Sequence, residues 1–161
     1  VMKFVPTVAD RVNRAITAVT NPTPNPDDVE STAVRLLVWQ AAKQVISENM
    51  LIGVGTGDSK DALMEEYKNE GIKGAYSHEL NAHNEYFQVA VSLGIVGMIV
   101  LLAMLWFPLF HSYKTGNSIY LLFLLIVMLH FLTESMFETQ AGVMFYAFFN
   151  SLLCFHKPKN K

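Results

Sequence analysis

Cysteine is nearly absent from this 161-residue chain, and charge is nearly absent from its second half. Cys154 stands alone, so no internal disulfide can form, and its place in an apolar run points to packing. Of 12 basic and 14 acidic residues, 20 precede Phe87; between Phe87 and His156 only Lys114, Glu134 and Glu138 are charged. An average globular domain does not divide this way, whereas a polar segment followed by membrane spans does. No basic run is interleaved with aromatics and the net charge is -2, which leaves no nucleic-acid footprint. The chain opens at Val1 without an initiator methionine or a charged-then-apolar leader. It is therefore expected to be the C-terminal part of a longer membrane protein.

What is present is hydrophobicity, 52% of residues, gathered into three stretches at about 87–110, 118–136 and 139–156. The first holds about 24 residues, enough to cross a hydrocarbon core; the other two are shorter and borrow flanking residues. The fold class expected is an all-α membrane protein: an external helical segment, 1–86, followed by three transmembrane helices of a larger multi-pass bundle. The 111–117 connection carries Lys114 and the tail carries Lys157, Lys159 and Lys161, while 134–140 carries only Glu134 and Glu138. Positive charge stays on the cytoplasmic side. That rule puts 111–117 and the tail in the cytoplasm, and residues 1–86 on the outer face.

Within 1–86, apolar residues at Phe4, Val5, Val8, Val12, Ile16 and Val19 keep helical period, with Arg11 and Arg14 beside them. Asn21-Pro-Thr-Pro-Asn-Pro26 breaks that helix. A second helix is expected from Ser31 or Thr32 to about Asn49, burying Val34, Leu37, Val38, Ala41, Val45 and Ile46. Another should run from Asp58 or Ser59 to about Asn69, with Gly71 just past its end. Between them, Gly53-Val-Gly-Thr-Gly57 lacks the Lys-Ser/Thr of a phosphate loop and follows no strand; a loop packed under a membrane-proximal site suits it better.

The residues that could carry chemistry gather where the charged segment meets the first span. At about 100° per residue, His83, Phe87, Ala90, Gly94, Gly97 and Leu101 would share one stripe of a single helix. Gly94 and Gly97 would then admit a neighbouring helix, with His83 aimed at it. His78 and His83 are five apart, about 140° round a helix, and so do not form a same-face zinc pair. Arg35 lies in an otherwise apolar stretch, either snorkelling to water or clamping an oxyanion with its planar fork. Arg11 and Arg14 are either similar clamps or a solvated face. His130 and Glu134 are i,i+4 at the outer end of the second span and so can meet, either supporting a site or bonding two helices.

Together these residues resemble the O-antigen ligase family, which includes O-antigen polymerases and related bacterial surface-polysaccharide enzymes. The likeness rests on His83-Asn84-x9-Gly94-x-x-Gly97, with Arg35-x-x-x-Trp39, Leu51-Ile-Gly-Val-Gly-Thr-Gly57 and Asn84-Glu-Tyr-Phe-Gln88 in support. It covers about Ser31 to Phe155. The resemblance implies a multi-pass glycosyltransferase of C type in the bacterial cytoplasmic (inner) membrane, with 1–86 on the periplasmic side. Such an enzyme transfers a glycan from an undecaprenyl-diphosphate carrier to lipid A-core or another glycan or protein acceptor. His83 matches the family's essential histidine, and Arg35 matches the arginine proposed to hold the diphosphate. Asn84, Arg11, Arg14, His130 and Glu134 are expected around the substrate, and Gly94 and Gly97 as structural parts of the motif. A second functional arginine and most of the membrane helices belong to segments this chain lacks, so the fragment alone should be inactive.

The chemistry agrees with that expectation. A guanidinium can stabilise the charge left on a departing diphosphate, and an imidazole can take the acceptor's proton. One displacement without a covalent sugar intermediate should invert the anomeric carbon. With arginines neutralising the diphosphate, no metal or other cofactor is required. The histidine motif favours a ligase over a polymerase. A different class, a non-enzymatic membrane-anchored binding protein, would show no turnover of a lipid-linked donor.

Overall fold

The computed structural model describes residues 32–155 together with Val12, Asn13, Ile16 and Asp27. Arg11, Arg14 and the Pro-rich breaker lie outside the described residues. The fold is all-helical, and no strand occurs among the described residues. Helix α1 spans Thr32–Glu48, α2 Ser59–Asn69 and α3 Lys73–Ser77; α4 spans Glu85–Lys114, α5 Ser118–His130 and α6 Gln140–Phe155, with a 3₁₀ turn at Met136–Glu138.

The apolar face read from periodicity is the face α1 buries. Val34, Val38, Ala41 and Val45 are buried, and Leu37 and Ile46 pack partly against them. Leu63 and Tyr67 of α2, Ile72, Ala75 of α3 and Val91 of α4 complete this first core. Helix α2 stops where expected. Gly71, at φ 73°, turns the chain so that the Ile72 N–H donates to Tyr67 O at 2.8 Å, closing the orphan carbonyls.

A second core joins α4, α5 and α6 through Leu101, Leu105, Tyr120, Leu124, Val127, Phe131 and Tyr146. Pro108 lies inside α4 and has no N–H to give the Met104 carbonyl one turn back. The Tyr146 hydroxyl of α6 donates to that oxygen at 3.3 Å. Asn117 caps α5 by accepting from the Tyr120 N–H at 3.2 Å, and its amide donates to Leu153 O at 2.9 Å, tying α5 to the end of α6. Of the described helices, α4 alone is long and apolar enough to cross a membrane; α5 and α6 are shorter apolar helices. Its exposed face carries Ile95, Val96, Ile99, Val100, Trp106 and Phe107, as expected of a surface that meets something other than water.

The single stripe from His83 to Leu101 is not formed. His83 precedes the helix, and α4 is broken at Gly94, whose φ of 61° and ψ of -153° are non-helical. A break in an apolar helix strands backbone donors and acceptors. Here the α1–α2 loop takes their place. The Val54 and Gly55 N–H groups donate to Val91 O and Ser92 O, each at 2.9 Å. Ile95 N–H donates to Met50 O at 2.9 Å and Val96 N–H to Leu51 O at 3.4 Å. In an unbroken helix, Ile95 and Val96 would have used the Val91 and Ser92 carbonyls themselves. The loop is spliced into the ladder between them.

Two glycines make the splice possible. A Cβ on Gly53 (φ 68°) would lie 2.5 Å from Ser92 and Leu93 backbone, and one on Gly94 would lie 2.6 Å from Leu51 and Gly53 backbone. Gly97 answers to the same break rather than to a neighbouring helix: a Cβ there would meet Leu93 and Val89 of α4 itself.

Candidate functional site

Arg35 and Trp39, one turn apart on α1, reach the same place. The Trp39 indole N–H donates to Ala82 O at 3.0 Å, and its ring lies against Phe87, centroids 5.8 Å apart. From the other side, the Ala82 N–H donates to the buried Gln88 side chain at 3.2 Å. The peptide groups flanking Ala82 are thus held from two helices at once. The next residue, His83, adopts φ 45°, a conformation uncommon outside glycine, and its N–H donates to Asn81 Oδ1 at 3.0 Å. The strained turn presents the imidazole before the chain enters α4.

Asn84 then caps α4, accepting from the Phe87 N–H at 3.1 Å. The same two residues that open α4 hold the α5–α6 connection. Asn84 N–H donates to Ser135 Oγ at 3.2 Å, and its side-chain amide donates to Leu132 O at 3.0 Å. Glu85 N–H donates to Phe131 O at 2.8 Å, and its buried carboxylate accepts from Phe137 N–H at 2.8 Å. These four bonds flank Glu134 in sequence and bring it over His83.

The Glu134 carboxylate is the centre of the cluster. One oxygen accepts from Arg35 Nη2 at 3.1 Å, and the other lies 3.5 Å from His83 Nδ1. The Arg35 and Glu134 side chains are 39% and 43% exposed, so the pair contributes only about 0–1 kcal/mol and can exchange partners. Three side chains from three distant segments, α1, the 80–84 turn and the α5–α6 connection, therefore meet at one end of the long apolar helix.

Not every expected partner is part of it. His130 ends α5 with an exposed side chain; it meets Glu134 through backbone, the Glu134 N–H donating to His130 O at 3.0 Å. The i,i+4 side-chain pair fails because the helix stops at His130 and the chain turns the carboxylate toward Arg35 and His83. Gly94 and Gly97 lie further along α4, where they shape the break. Glu85 and Ser135 were not singled out from sequence. A lone acid at the mouth of an apolar span was the available signal for Glu85; Ser135 offered none.

Beside the cluster, reached through Asn84, lies an apolar cavity of about 480 Å³ whose walls include Lys43, Met50, Phe87, Met98 and Leu132. Lys43 Nζ stands 5.9 Å from the Phe87 ring centroid, at a distance suited to a cation–π contact. The cavity runs from that cation past the opening of α4 to Met98, beyond the break.

A family model described as O-Antigen ligase matches residues 3–102. The matched stretch contains Arg35, His83, Asn84, Gly94 and Gly97 and ends before α5, so Glu134 lies beyond it. Among curated proteins, an uncharacterized protein of Haemophilus influenzae is 25% identical over 135 residues, covering 78% of this chain. The chain spans 33% of that relative's length.

Proposed function

The chain belongs to the O-antigen ligase family, and on that premise we propose that its full-length protein transfers a glycan from an undecaprenyl-diphosphate carrier to an acceptor hydroxyl. The acceptor is lipid A-core or a similar glycan, met at the outer face of the bacterial inner membrane. In this reading α4, α5 and α6 all span the membrane, with residues 1–86 on the periplasmic side. The observation that carries the proposal is the meeting of Arg35, Glu134 and His83 beside the opening of the long apolar helix α4.

The acceptor oxygen attacks the anomeric carbon as the bond from that carbon to the diphosphate oxygen breaks. The acceptor's proton passes to His83, and the diphosphate leaves on its lipid with the bonding pair. With Nδ1 protonated and facing Glu134, His83 keeps a lone pair on Nε2 for that proton. Glu134 orients the ring and offsets the positive charge the ring acquires. Arg35, loosely held by Glu134, moves to the diphosphate and steadies the charge developing there. The cavity behind Asn84 takes the first units of the lipid, with Lys43 near the phosphate end.

Arg35→Lys tests the clamp. A point charge does not reproduce a planar fork. Transfer should fall roughly ten- to a hundredfold, matching the ~1.5–3 kcal/mol of a charge-assisted hydrogen bond. The assay is the initial rate of glycan transfer in membrane vesicles carrying the full reading frame. A lysine variant as fast as wild type would reduce Arg35 to bulk charge and remove the clamp.

A further inference from the structure

We propose that the tip of the α1–α2 loop, Met50-Leu51-Ile52, is immersed in the acyl region of the outer leaflet, as a non-helical membrane contact beside α4. The inference rests on reading residues 95–114 as membrane-spanning, not on any role for Arg35 or His83.

Three observations on the loop itself carry it. First, Met50, Leu51 and Ile52 are three consecutive large apolar side chains with exposures of 57%, 70% and 75%, and no charged residue lies between Glu48 and Asp58. Second, their height on α4 is set by hydrogen bonds: Met50 O accepts from Ile95 N–H and Leu51 O from Val96 N–H. The tip therefore lies level with the first residues after the break, and Ile95 and Val96 are themselves exposed apolar residues. From there to Lys114 is about 20 residues, which at 1.5 Å each spans about 30 Å, the thickness of a hydrocarbon core. Third, irregular backbone is excluded from lipid mainly by its unsatisfied polar groups. The splice into α4 satisfies four of this loop's, the Met50 and Leu51 carbonyls and the N–H groups of Val54 and Gly55, and within the loop Gly53 N–H donates to Asn49 O at 2.9 Å. The exposed Met50, Leu51 and Ile52 match the exposed apolar residues Ile95 and Val96 of α4 in chemistry and lie level with them. Acyl chains are the occupant that this match selects.

The test places a fluorophore on Ile52→Cys in the full-length protein, with Cys154→Ser and other thiols removed, reconstituted into vesicles. Lipids carry a nitroxide either high or low on the acyl chain, and iodide serves as the aqueous quencher. Label at position 52 should be quenched strongly by the shallow nitroxide, less by the deep one and hardly by iodide. Label on Lys60→Cys, on the water-exposed side of α2, should behave in the opposite way. Because a bulky label could displace the loop, Ile52→Trp read with brominated lipids gives the same comparison with a natural side chain. Iodide quenching at position 52 would put the loop in water and overturn the proposal. Quenching by neither agent would also overturn it, showing that another part of the protein covers the tip.

Discussion

His83→Ala is expected to lower glycan transfer by roughly 10²–10⁴-fold, the usual contribution of a positioned general base, while membrane insertion and donor binding persist. The separation of effects follows from where His83 sits. Its backbone closes a turn held by Trp39, Gln88 and Asn81, whereas among the described residues its imidazole has a polar contact with Glu134 alone, at a long 3.5 Å. Removing the ring should therefore take away the proposed proton transfer and little of the packing. The check is the transfer rate in vesicles alongside retention of the lipid-linked donor. Transfer near the wild-type rate would remove His83 from the reaction, and loss of insertion would make its role structural.

Gly53→Ala and Gly94→Ala should each destabilise the protein by about 3 kcal/mol or more, enough to deplete the folded form of a marginally stable chain. Two costs combine. Both positions have positive φ, and Gly94 adds a ψ of -153°, a region that is essentially glycine's alone, at about 1–3 kcal/mol. An added methyl also meets backbone at 2.5–2.6 Å, and backbone cannot swing aside as a side chain can; overpacking of this kind typically costs about 1–3 kcal/mol. Gly57→Ala is the control, since nothing lies within 4 Å of a Cβ there. Thermal unfolding in detergent should show large losses for the first two and little change for the third. If Gly94→Ala unfolds at the wild-type temperature, the loop does not splice into α4.

The contrast between these glycines marks the boundary of what periodicity reveals. Helix α1, its buried face and the end of α2 at Gly71 were legible because a helix writes its own contacts every three to four residues. The break in α4 was not. The apolar pattern runs unbroken through Gly94, and the partner that compensates it lies some forty residues earlier, in a loop whose hydrogen bonds to it are made by backbone. Backbone bonds leave no side-chain signature beyond the need for glycine.

The candidate site divides in the same way. Arg35 stood out as a charge in apolar surroundings, His83 as an imidazole where the charged segment meets the first span, and Glu134 as one of three charges between Phe87 and His156. Their grouping did not follow from spacing. Glu134 was paired with His130 on the assumption that α5 continues, but α5 ends at His130. What directs the carboxylate instead is the set of bonds from Asn84 and Glu85 to the 131–137 segment. Those are long-range contacts between a helix start and a turn, visible only once the chain is folded.

A cross-linking measurement decides most directly whether α1 brings Arg35 against Glu134 of the α5–α6 connection on the outer face of the membrane. Cysteines replace Arg35 and Glu134 in the full-length protein, in a background cleared of other thiols, and a short bifunctional thiol reagent is applied to sealed spheroplasts from outside. The account predicts efficient joining of the pair by the externally added reagent. Two thiols that each react singly but never join, or that are reached only from the cytoplasmic face, would contradict it.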